Sequence, residues 1–195
     1  MAGRIFNFDH PDRFVAGAIG QPGHRTFYLQ AREGSRTVSV LLEKVQVDLL
    51  AERLGALLTE VRERGASVPE EADQRAVDRA PLEQPIAEQF RVGTMAIIWD
   101  GDDESIVVEA RSISESDEDE DAAETEGGPG EEADEEEAED PDADVLRVQL
   151  APAAALAFAA RAQEVVAAGR PPCPFCGQPL NPEGHICARR NGFMH

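Results

Sequence analysis

The chain has little of what marks secreted, membrane-spanning or disulfide-built proteins. It holds only three cysteines, Cys173, Cys176 and Cys187, all within fifteen residues of one another. That is no even disulfide framework, and it fits a reducing cytoplasm. No run approaches the roughly twenty apolar residues of a membrane span. The longest candidate, residues 151–168, is interrupted by Pro152, Arg161, Gln163 and Glu164. Met1 to Asp9 lack the apolar stretch of a signal peptide. Neither G-x-x-x-x-G-K-[ST] nor G-x-S-x-G occurs, so P-loop chemistry and the nucleophile-elbow hydrolases have no sequence signature here. The single tryptophan, Trp99, ends an apolar run and reads as core.

Basic residues are also missing, but only locally. Residues 115–144 contain eighteen Asp or Glu and no Lys or Arg. The formal charge of the whole chain is −21; without that block, 21 acidic and 18 basic residues remain, a charge of −3. The acidity is therefore an insertion rather than a property of the fold. The block has almost no large apolar side chain and cannot offset the entropy of ordering it, so disorder is expected. It would repel nucleic acid.

Around the insertion the pattern is that of one α+β core covering 1–114 and 145–169. Residues 13–20 and 25–32 are strand-like and flank Gly20-Gln21-Pro22-Gly23, a turn signal. Residues 37–43 follow as a strand. Leu50, Leu54, Leu57, Leu58 and Val61 then recur at helical spacing, which predicts a helix over about 44–64 with Gly65 behind it. A polar linker covers roughly 66–87. Residues 90–99 and 105–111 read as a hairpin across Asp100-Gly101-Asp102-Asp103, and 145–150 as an alternating strand. A second helix opens at Pro152 and is closed by Gly169. An offset of 108 residues lays Val38, Val40 and Leu42 on Leu146, Val148 and Leu150. A duplicated ββα unit would produce this echo, and so would any two strand-to-helix joins. The expected architecture is a mainly antiparallel sheet with two helices on one face.

The tail, residues 170–195, reads Cys173-Pro174-Phe175-Cys176-Gly177, then Gly184-His185-Ile186-Cys187. This is C-x2-C-x8-H-x-C, the donor set of a tetrahedral Cys3His zinc site. Two residues between Cys173 and Cys176 let both sulfurs turn toward one point. The i, i+2 spacing puts His185 and Cys187 on one side of an extended segment. Phe175, Leu180, Ile186 and Phe193 are too few to fold the tail alone, so metal would supply the folding free energy. Four protein ligands close the coordination sphere, which makes the zinc structural rather than catalytic. The alternative is a C-x-x-C redox pair with Cys187 a spare thiol.

Several runs together are similar to one family. They are Arg13-Phe14-Val15-Ala16-Gly17, Gly20-Gln21-Pro22-Gly23, Arg25-Thr26-Phe27-Tyr28-Leu29-Gln30-Ala31 and Phe90-Arg91-Val92-Gly93-Thr94-Met95. Gly169-Arg170-Pro171-Pro172-Cys173-Pro174, Pro182-Glu183-Gly184-His185-Ile186-Cys187 and Asn191-Gly192-Phe193 complete them. The chain resembles an actinobacterial family catalogued as domain of unknown function number three thousand and ninety. The resemblance covers nearly everything except the acidic block. It implies a small cytosolic protein with a metal-binding-like tail and no established activity. All four residues of the candidate ligand set are present.

Catalysis has few candidates. His10 and His24 lie outside the tail, with Asp9, Asp12 and Arg25 as neighbours in sequence; turn or surface roles compete with acid–base roles for both. Gly17, Gly20 and Gly23 have no helix behind them and read as a hairpin turn rather than a phosphate cradle. Asp100, Asp102, Asp103 and Glu104 lack the full calcium-loop pattern. The leading expectation is a non-enzymatic zinc-binding module that docks an unidentified protein partner. A nucleic-acid-associated zinc ribbon (Arg170, Arg189 and Arg190 against Glu183) and an enzyme of unrecognised type using His10 or His24 are the alternatives.

Overall fold

A computed structural model describes residues 3–113, 142–169 and 173–176. Seven strands and two helices follow in the order β1 (Ile5–Phe8), β2 (Arg13–Ile19), β3 (Thr26–Glu33), β4 (Arg36–Leu42), α1 (Lys44–Glu63), β5 (Glu88–Asp100), β6 (Ser105–Ser112), β7 (Val145–Leu150) and α2 (Pro152–Ala167). The strands form one sheet in the order β1-β7-β6-β5-β4-β3-β2. The pairings are antiparallel except β4 with β5 and β1 with β7. The α+β, mainly antiparallel expectation is met.

Each half is a three-stranded meander followed by a helix, so the unit is βββα and not ββα. The offset of 108 carries Lys44, the first residue of α1, onto Pro152, the first of α2. Within each meander the strands are antiparallel; between meanders β5 lies parallel to β4. β1 lies parallel to β7 in the same way. The N-terminal strand thus takes the place that a third repeat's first strand would occupy. Arg4 holds it there: its backbone N–H and its guanidinium both donate to Asp144, at 2.7 and 2.6 Å. β1 is the element the sequence reading missed, because four residues are too short a window to show a period.

Alternation along the strands makes one buried face. Phe14, Ala16, Leu29, Ala31, Val38, Val40, Leu42, Val108 and Leu146 meet Val47, Leu50, Leu54 and Leu58 of α1 and Ala155, Phe158 and Ala162 of α2. Phe14 and Phe158 stack with ring centroids 4.6 Å apart. The α1 leucines sit at the i, i+4 spacing of one helical face, and their burial rather than propensity holds the helix. Among the described residues, no helix is long and apolar enough to cross a membrane.

The connection from α1 to β5 passes around the β2 edge onto the opposite face of the sheet. There Leu82 fills the space over Gly17; a Cβ at Gly17 would stand 2.5 Å from its Cγ. Gln30 accepts from the Glu83 backbone N–H at 2.8 Å, and the Thr37 hydroxyl lies 3.2 Å from the Glu83 carboxylate. This strap therefore crosses β2, β3 and β4 before becoming β5. The β2–β3 turn has Gly20 and Gly23 at φ of 106° and 100°, the left-handed region open to glycine.

The acidic insertion lies between the β6 and β7 partners of a single antiparallel pair. Its flanks are stitched together: Ser112 N–H donates to Asp144 O at 2.8 Å, and Asp144 N–H to the Ser112 hydroxyl at 3.0 Å. Replacing residues 116–141 by a short Gly/Ser turn should therefore leave the thermal midpoint within a few degrees, since loop length enters only logarithmically. A large drop in a melting experiment would show that the insertion packs on the core.

Candidate functional site

Three groups of residues compete for function: the tail cysteines, the polar clamp beneath the strap, and a groove between α1 and β5.

Cys173 is buried at 3% exposure, and Cys176 is half-buried on the turn formed by 174–176. The two are not joined in a disulfide. A turn with one sheltered thiol suits the first half of a zinc knuckle. His185 and Cys187 lie outside the described residues. Two of the four candidate ligands are thus placed on one turn, and the described residues contain no cluster of three potential metal donors.

The clamp centres on Arg161, which is only 6% exposed although it sits in an otherwise alanine-rich helix. Its Nε donates to the Ala16 carbonyl at 2.7 Å, on the outer edge of β2, and Nη2 to Ala80 O at 2.8 Å. Nη1 donates to Asp78 O. Arg13 adds Nε to Asp78 Oδ2 at 2.5 Å and Nη2 to Ala80 O and Pro81 O at 3.0 Å each. Two guanidiniums thereby tie α2, the edge strand and the strap. The hydrogen bond from Arg13 holds the Asp78 carboxyl below its ordinary range, against the opposing effect of burial. Burial lowers Arg161, and Asp78 counters it. The Arg4–Asp144 and Arg79–Glu164 pairs lower their carboxyls for the same reason, a hydrogen bond from the arginine. All these groups spend their charge on chain segments, which is architecture rather than catalysis.

The candidate catalytic histidines are not brought together. His10 precedes β2 and His24 follows it, and the seven-residue strand separates them by roughly 20 Å. Both are exposed. Asp12 uses Oδ2 to accept the Gly34 N–H at 2.7 Å, and Asp9 accepts from the Asn7 amide at 3.1 Å. Asp100 Oδ1 likewise accepts the N–H groups of Asp102 and Asp103 at 3.0 and 3.3 Å, a turn motif.

The groove was not legible in the sequence. It has a volume of about 490 Å³ and runs between Leu49, Arg53 and Leu57 on α1 and Gly93, Met95 and Ile97 on β5. Leu49 on its α1 wall is strongly exposed, at 42%, and so is Val45, one helical turn before it, at 61%. β5 makes the groove by leaving β4. It pairs with β4 only as far as Arg91, breaks register near Gly93 and continues against β6 alone. Gln46 joins the two walls: Oε1 accepts from the Glu43 N–H at the start of α1, and Nε2 donates to Val92 O and Gly93 O at 3.1 and 3.0 Å.

Residues 6–187 match the family described as protein of unknown function, DUF3090. The chain belongs to that family. No curated protein matches it, and no solved structure does.

Removing the Arg161 fork takes the side-chain donor from the Ala16 and Asp78 carbonyls and leaves the Ala80 carbonyl to Arg13 alone. Arg161→Ala should cost about 2–4 kcal/mol in urea unfolding. Arg161→Lys should recover only part, because an ammonium lacks the planar fork. A loss below about 0.5 kcal/mol would show that the clamp carries no weight. The depressed Asp78 carboxyl also sets a sign. Its ionised form favours the fold above its unfolded pKa of about 4, and that contribution disappears as pH falls further, through the folded value. The acid-side decline in melting temperature should be shallower in Asp78→Asn than in the unmodified chain; equal slopes would refute this.

Proposed function

We propose that this protein is a non-enzymatic, zinc-binding protein-interaction module. The observation that carries the proposal is the α1–β5 groove, an open apolar trough whose α1 wall exposes Leu49, with Val45 one helical turn before it. A contiguous exposed apolar surface with a concave floor is what a partner-binding site requires and what a monomer otherwise avoids. The sheet and its strap act as the support. The partner is a protein, met in a reducing compartment.

Cys173, Cys176, His185 and Cys187 would hold one structural Zn2+ in the tail, with the thiols deprotonated by the metal. The buried Cys173 and the turn that carries Cys176 support this reading. The metal supplies fold to the tail, and the tail gives the module a second surface.

Elemental analysis of protein purified under reducing conditions, with any tag removed, should find about one zinc per chain. Cys176→Ser should lose most of it and make residues 170–195 protease-sensitive while far-UV dichroism changes little. Metal-free protein with a protected tail would overturn the zinc assignment.

Docking is tested separately. Leu49→Asp places a charge on the groove rim without touching the buried face of α1. A partner recovered from native cytosol by the unmodified chain should be lost from this variant, with the thermal midpoint unchanged. Equal recovery by both proteins would remove the groove from the interface.

A further inference from the structure

The open side of β5 defines how the groove is used. β5 has thirteen residues, yet β4 accompanies it only to Arg91. From Thr94 to Asp100 its sole strand neighbour is β6. In an antiparallel pair, alternate residues turn both N–H and C=O to the same side, so half of the backbone groups of this stretch face away from β6. Gln46 takes the carbonyls of Val92 and Gly93. Further along, no backbone group among the described residues pairs with that side.

The residues of this edge are Thr94-Met95-Ala96-Ile97-Ile98-Trp99, uncharged and without proline. Sheet edges are ordinarily guarded by lysine, proline, a bulge or a covering element. Here the break in register comes at the start of the stretch, near Gly93, and leaves the rest in unbroken register with β6 and apolar. The groove beside it supplies apolar walls through Leu49, Leu57, Met95 and Ile97. Its one charge is Arg53, which has no hydrogen-bond or ion-pair partner among the described residues.

We propose that the β5 edge from Thr94 to Trp99 is a strand-addition site whose occupant is an extended segment of another protein. That segment carries apolar side chains at alternate positions and a carboxylate placed against Arg53. Main-chain hydrogen bonds to the edge give affinity, and the walls of the groove read every second side chain. Gly93 to Ile97 extends over roughly 16 Å, enough to pair with about five residues.

Charge selects among occupants. A second copy presenting its own β5 edge offers Arg53 only uncharged residues. The acidic block of this chain has carboxylates but almost no apolar side chains for the walls. The tail has one acidic side chain, Glu183, against Arg170, Arg189 and Arg190, a positive balance that disfavours it beside another arginine. A separate segment bearing both features satisfies the site. This proposal rests on the docking function argued above and specifies its partner.

The experiment uses the full chain and a displayed library of ten-residue peptides, with the strongest binder then synthesised. Selected sequences should alternate apolar residues and carry Asp or Glu between them. Saturation with that peptide should slow hydrogen exchange at alternate amides of 94–99. Arg53→Glu should weaken binding by about tenfold or more and shift selection toward lysine-bearing peptides, while Arg53→Lys retains most of it. Arg53 is exposed on α1, so neither variant threatens folding.

Peptides with apolar residues at helical spacing, lost on Leu49→Asp but slowing no β5 amide, would overturn strand addition and leave the docking function standing. Binders indifferent to both Leu49→Asp and Arg53→Glu, or no binders at all, would overturn the strand site. Concentration-dependent protection of 94–99 in the chain alone would show that a second copy is the occupant, and would also overturn the proposal.

Discussion

Much of this structure depends on one guanidinium. Arg161 reaches from the second helix to the outer carbonyl of the edge strand and to two carbonyls of the strap. A buried arginine is tolerable only when its donors are met, and its cost would be severe if they were not. Here the donor on α2 and its acceptors on β2 and the strap join three segments distant in sequence. The same contact takes one outward carbonyl of the β2 edge, that of Ala16. Arg13 and Asp78 repeat the tie from the opposite face. The strap can then cross three strands without a regular element of its own, and it delivers the chain to the start of β5.

From that starting point β5 follows the geometry of both halves. Its first residues lie beside β4, and its later ones belong to β6. β1 is tied to β7 by the Arg4–Asp144 pair and the strap lies against β2, whereas the middle of β5 is left unpaired on one side among the described residues. The open, uncharged stretch of β5 is what gives the groove a functional reading. An apolar trough alone would be ambiguous; a trough with a backbone ladder along its floor has a direction and a period.

The family assignment agrees with the resemblance drawn from residues 13–31, 90–95 and the tail, and it reaches into the tail as far as residue 187. It names no activity. The tail's chemistry, two thiols on one turn followed by a histidine and a third thiol, is a property of the chain itself. The shifted carboxyls Asp78, Asp144 and Glu164 all serve arginines that join segments, which places the strongest electrostatics of the described structure in its architecture.

Local pattern was enough for most of the elements. The leucine spacing of α1, the alternation of β3, β4 and β7, the glycines of the β2–β3 turn and Pro152 at the head of α2 each act over a few residues, so each can be read in a line of sequence. The 108-residue offset was visible for the same reason, although it hid the third strand of each unit. The donor set Cys173, Cys176, His185 and Cys187 was equally legible, because ligand spacing is local chemistry. What only the tertiary structure decided are relations between distant segments. Arg161 looked like an interruption in an apolar helix until Ala16, Asp78 and Ala80 were placed around it. Nothing in the sequence around Gln46 marks it as the tie from α1 to the Val92 and Gly93 carbonyls. The open edge of β5 depends on where β4 stops, fifty residues earlier in the chain, and no window of sequence contains both.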